Sequence, residues 1–102
     1  METDHVSVHQ RAWIAVDALQ PSERDTLFQT LERLSTLPPA EWPQPGPRLL
    51  KPESALYSLR VTPDLHVFFS VTGPNHLEIE DLVRPETLEL HFRPRVEKGK
   101  AV

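Results

Sequence analysis

Three side chains in the second half of this 102-residue chain have types and neighbours that could do chemistry. His66 lies in the alternating run Leu65-His66-Val67-Phe68-Phe69-Ser70-Val71, and its unperturbed pKa near neutrality suits it to proton transfer. Arg60, in the preceding run, is a permanent cation suited to a phosphate or to charge developing in a transition state. An ion pair with Glu78 or Glu80 across the same sheet face would suit it equally. Arg84 precedes Pro85, which holds the Arg84 backbone extended and leaves its side chain to meet a phosphate or Glu86. Other chemistries lack their parts. With no cysteine there is no disulfide scaffold, thiol nucleophile or thiolate metal site. His5, His9, His76 and His91 show no pairing suited to a metal, and three glycines build no phosphate loop. No Ser-His-Asp ordering is present, and neither a metal nor a cofactor is expected.

The elements that must position these groups change period midway. From about His9 to Leu19, Ala12, Ala15, Val16 and Leu19 form a helical stripe that Trp13 widens. Ser22, with Asp25 three residues on, reads as the N-cap of a second helix with the stripe Leu27, Phe28, Leu31 and Leu34. The short connection predicts antiparallel neighbours. Residues 38–52 carry six of the eleven prolines and read as a stiff crossover, with Trp42 as the anchor to the domain.

Beyond the crossover the period is two. The odd positions Tyr57, Leu59 and Val61, then Leu65, Val67, Phe69 and Val71, then Leu77, Ile79 and Val83 are the apolar sets. Pairing odd with odd centres two hairpins on Pro63 and Pro74, inside turn-rich tripeptides, so register and turn chemistry agree. Leu56, Ser58, Arg60, His66, Phe68, Ser70, His76, Glu78 and Glu80 then share the other face. With helices on one face only, that second face is open to a partner, through Leu56, Ser58, Phe68 and Ser70 above all. Val6-Ser7-Val8 is a short extended candidate, and residues 84–92 a last helix or strand. The fold class expected is α+β in the order β-α-α-β-β-β, with two antiparallel helices packed on one face of an antiparallel sheet.

Length fits one domain, residues 1–92, followed by a basic, disordered tail at 93–102. That tail carries net +3, which leaves the body at net −7 and argues against general nucleic-acid affinity, though not against a local basic site. No apolar run approaches the ~20 residues of a bilayer span. The polar start lacks a signal-peptide core, so a cytoplasmic protein without membrane partners is expected.

Several strings, Leu49-Leu50-Lys51, Leu56-Tyr57-Ser58-Leu59-Arg60-Val61, Leu65-His66-Val67-Phe68-Phe69 and Leu77-Glu78-Ile79-Glu80-Asp81-Leu82-Val83-Arg84, in this element order resemble the RelE/ParE superfamily. These are small toxins of bacterial type II toxin–antitoxin pairs, and the resemblance covers about residues 6–92. It implies a RelE-like fold and a cognate antitoxin as partner. RelE-like members cleave mRNA on the ribosome without a metal, whereas ParE-like members poison DNA gyrase. Carried over by position, Arg60 falls on a family Arg of the first hairpin strand, His66 stands where a second Arg is common, and Arg84 matches the Arg after the last core strand. Lys51 falls near the Lys of the strand-leading element. The resemblance thus implies Arg60 and Arg84 as phosphate stabilisers, His66 as proton shuttle and Lys51 as an assisting cation. The terminal Tyr of active ribonucleases has no match nearer than His91 or Phe92, and Glu78 and Glu80 add charge that repels a phosphodiester. A gyrase poison, or a catalytically silent homologue acting as a protein-binding module, is the alternative.

Overall fold

A computed structural model describes residues 5–84. The expectations for residues 85–92 and for the tail at 93–102 lie outside the described residues. Among the described residues five strands form one sheet in the order β1-β5-β4-β3-β2: β1 (Val6–Val8), β2 (Arg48–Lys51), β3 (Leu56–Thr62), β4 (Leu65–Gly73) and β5 (His76–Val83). Two helices, α1 (Trp13–Asp17) and α2 (Pro21–Ser35), separate β1 from the rest and pack with the sheet, giving the expected α+β class. Every strand pair is antiparallel except β1 with β5, which run parallel because the chain crosses over through the helices before β5 returns beside β1.

The first helix is shorter than its apolar stripe suggests. A 3₁₀ turn occupies Gln10–Ala12 and α1 itself spans five residues. Its end is held by a side chain from the next helix: Arg24 donates to the carbonyls of Val16, Asp17 and Leu19 at 3.4, 3.2 and 3.1 Å. Ala12, Val16 and Leu19 are nonetheless buried as the stripe requires. The start of α2 corrects the expected N-cap. Gln20, not Ser22, occupies that position, and Glu23 Oε1 accepts from the Gln20 amide at 3.2 Å. Pro21 is the first residue of the helix, a position that needs no N–H. Leu27, Phe28, Leu31 and Leu34 face the core, as the stripe implied.

Trp42 is the anchor expected of it. Its indole N–H donates to Leu34 O at 2.9 Å and Leu37 O at 3.2 Å. Its ring meets Tyr57 edge-on at 4.9 Å and Phe69 at 5.9 Å, so the crossover is pinned to α2 and the sheet together. The crossover also yields something its prolines did not announce. Arg48–Lys51 pairs with β3 as an edge strand, where the missing amides of the flanking prolines cost nothing.

The first hairpin follows the alternating pattern, with Leu56↔Ser70, Tyr57↔Phe69 and Arg60↔His66 all centred on Pro63. The second starts on Pro74, as Val71↔Leu77 and Phe69↔Ile79 show, and then slips. A β-bulge between Ile79 and Asp81 inserts Glu80, after which Phe68 faces Asp81 and Val67 faces Leu82. Leu82 therefore enters the core, while Val83, assigned there by alternation, is only half-buried.

Candidate functional site

The helices cover the face bearing Leu65, Val67, Phe69, Leu77 and Ile79, all buried. The opposite face carries the candidate residues, and strand register divides it into rows. In one row Arg60 faces His66, and His66 faces Val83. Two residues along β4, Arg48, Ser58, Phe68 and Asp81 form a second row. A further two residues on, Lys51, Leu56, Ser70 and Glu78 form a third. Four residues of strand separate Leu56 from Arg60, so Lys51 lies about 13 Å along the sheet from the Arg60–His66 pair. The structure joins Arg60 to His66 and sets Lys51 apart from them.

Arg60 is exposed and, among the described residues, has no ion-pair or hydrogen-bond partner. The pairing with Glu78 or Glu80 weighed as an alternative is not made. His66 is half-buried, and its Nδ1 is enclosed without a hydrogen-bond partner. Burial pushes its pKa below the ordinary value, and the guanidinium of Arg60 pushes it the same way. The imidazole is consequently neutral at neutral pH, beside a permanent cation.

Arg84 is engaged elsewhere. It donates to both Glu23 oxygens, at 2.7 and 3.1 Å, and to the Asp64 carbonyl at 3.0 Å. That contact clamps the end of β5 to the start of α2 and to the β3–β4 turn. The guanidinium holds the Glu23 carboxyl below its ordinary pKa, and the Gln20 amide adds to this; Glu23 in turn raises Arg84.

The open face has two charge halves. Arg48, Lys51 and Arg60 stand on β2 and β3, none with an ion pair among the described residues. Glu78, Glu80 and Asp81 stand on β5. Glu80 is compensated by Arg11, which reaches over from the turn before α1 to Oε1 at 3.1 Å, and by the Ser70 hydroxyl, which donates to Oε2 at 2.8 Å. The repulsion that Glu80 would exert on a phosphodiester is reduced accordingly. Ser58 and Ser70, expected as exposed partner contacts, are instead buried floor residues of this face. Leu56 and Phe68 are half-buried, and with Arg11, Lys51, Ser54, Ser70, Glu80 and Asp81 they line a depression of about 410 Å³. Among the described residues, no group of three or more His, Asp or Glu side chains is arranged to hold a metal.

Sequence reasoning missed Arg11, Arg48 and Asp81. Arg11 meets Glu80 across 69 residues, a contact that no local pattern encodes. Asp81 did leave a signal. In Glu78-Ile79-Glu80-Asp81-Leu82-Val83 two acids and then two aliphatics break the alternation where the bulge falls.

Neither a family model nor a curated relative matches the chain. Solved structures do. One is a chain of the YoeB-YefM complex from Staphylococcus aureus, with TM-score 0.61 and 15% identity over 80% of this chain and 97% of that one. Another is a chain of the archaeal RelE-RelB complex from Pyrococcus horikoshii OT3, with TM-score 0.58 and 21% identity over 81% of this chain and 96% of that one. The chain has the fold of the RelE- and YoeB-type toxins. No helix among its described residues is long and apolar enough to cross a membrane.

Proposed function

We propose that this chain is the toxin component of a type II toxin–antitoxin pair, and that its open sheet face cleaves mRNA on the ribosome without a metal. The observation that carries the reading is Arg60, without an ion-pair partner among the described residues, directly opposite a neutral His66 on the face the helices leave free. A neutral imidazole can take the proton of a ribose 2′-hydroxyl while the guanidinium balances the charge gathering on the phosphate. The 2′-oxygen bonds to phosphorus, the bond to the 5′-oxygen breaks, and that oxygen takes a proton, leaving a 2′,3′-cyclic phosphate and a 5′-hydroxyl. Lys51 assists from the rim as a cation for the neighbouring backbone. Arg84 joins the phosphate only by exchanging its partners Glu23 and Asp64. A cognate antitoxin covers the face through Leu56 and Phe68, with Ser58 and Ser70 as its floor. The two neighbours named above come from two-protein complexes, which supports such a partner. The place of action is the cytoplasm.

A second reading has its own support. Glu78 and Asp81 lie on the same face, and Arg84 is already spent on Glu23. Both favour protein binding, as in a gyrase poison or a silent homologue. Tightly induced expression in a bacterium, with 5′-end mapping of mRNA, separates the cases. Growth arrest with new cleavage sites, lost in Arg60→Ala, is the outcome expected. An SOS response with intact mRNA marks the gyrase poison. Normal growth with folded, soluble protein rules out a toxin.

A further inference from the structure

Phe68 lies in the row between Ser58 and Asp81, two residues along β4 from the row of Arg60 and His66. The rings of His66 and Phe68 are 6.0 Å apart and tilted by 30°. That spacing matches the reach from a nucleotide's sugar to its base. A ribose and phosphate seated over His66 and Arg60 bring the attached base over Phe68, at the edge of the 410 Å³ depression.

The two acids beside that position differ in what they have left to offer. Glu80 has both oxygens occupied, one by Arg11 and one by Ser70. Asp81 has one oxygen fixed by the Leu82 amide at 2.8 Å, and its other oxygen has no partner among the described residues. Only the bulge brings it there, because unbroken alternation would have turned Asp81 into the core. It is an oriented, exposed acceptor directly across from an aromatic face.

We propose that Phe68 and Asp81 form a base-reading subsite for RNA that admits bases carrying an exocyclic amino group and discriminates against uracil. The inference rests on the ribonuclease reading above. Adenine, cytosine and guanine each present amino N–H donors to a carboxylate. Uracil offers a single ring N–H between two carbonyl oxygens, which a carboxylate repels. Stacking on Phe68 is indifferent to base identity, so Phe68 supplies affinity and Asp81 the choice. Arg48, next to Ser58, and Lys51, on the rim, have no ion pair among the described residues and are placed for flanking phosphates.

Two measurements on the full chain test this. Purified protein is titrated by NMR with non-cleavable 2′-O-methyl trinucleotides that differ only in a central adenine or uracil, and cleavage contexts are mapped in induced cells. Adenine binding about tenfold tighter than uracil binding is expected, at the low end for a hydrogen-bonded base contact. Asp81→Asn erases that preference, since an amide also donates to a uracil carbonyl, and uracil then enters the cleavage contexts. Phe68→Ala weakens both ligands alike, roughly tenfold. Equal affinity in the parent protein, or cleavage contexts unchanged in Asp81→Asn, overturns the subsite while the ribonuclease reading stands. No binding of either ligand together with no new 5′ ends overturns both.

Discussion

Phe68 and Phe69 are neighbours on β4 and face opposite sides of the sheet. Phe69 is fully buried, stacked on Tyr57 at 5.8 Å and tilted against Trp42 at 5.9 Å. Phe68 is half-buried beside His66, on a face where three cations have no ion-pair partner among the described residues. On the covered face packing dictates residue type, and large apolar side chains leave no group for chemistry. On the open face packing asks little, so charge, an aromatic ring and a titratable imidazole can be placed for another molecule. The difference teaches where to seek function in a fold this small.

The contrast is most easily broken through stability. Phe69→Ala should cost about 3–5 kcal/mol in urea denaturation. Phe68→Ala should cost less, about 1–2 kcal/mol, because its ring is only partly buried. Similar costs for the two would mean that the open face is part of the core.

Much of this contrast was legible beforehand. Odd positions on β3 and β4 paired about Pro63 as their alternation required, and the stripe Leu27, Phe28, Leu31, Leu34 went to the core. Both patterns are enforced by burial, which repeats along a segment. Legibility stopped where the determinant was long-range or singular. The Arg84–Glu23 contact spans 61 residues, and no local pattern implies it. One inserted residue, Glu80, rephased β5 and exchanged Val83 for Leu82. Of the candidate site, the face and the pairing of Arg60 with His66 could be read in advance, but Arg11 and the open carboxylate of Asp81 could not.

Acid sharpens the comparison more gently. The folded state disfavours protonated His66, so its contribution to stability is complete above pH 6.5 and is lost as pH falls below that value. Glu23 is depressed as well, and its contribution is complete above pH 4.5 and lost on further acidification. Chemical denaturation at stepped pH should therefore show two successive losses. His66→Gln should abolish the first and leave the second, and a first loss that survives this substitution would assign it to another group.

The smallest effect on stability is expected from the residue with the largest effect on function. Arg60→Ala removes an exposed side chain with no partner among the described residues, so its denaturation midpoint should shift by no more than about 0.5 kcal/mol equivalent. A substantial destabilisation would make Arg60 structural and deprive any lost activity of its meaning.

Strand β2 carries a consequence for how the molecule behaves in company. Among the described residues no strand pairs with its outer edge, around the exposed Leu49 and Leu50, and such an edge is the usual invitation to stack strand on strand and aggregate. Were two copies to meet antiparallel across this edge, with leucines opposed, Arg48 of each would face Lys51 of the other. Like charges placed directly opposite oppose such pairing. The two cations thus guard this edge against self-assembly by charge repulsion. Salt relaxes that guard, since at 1 M the Debye length shrinks to roughly 3 Å.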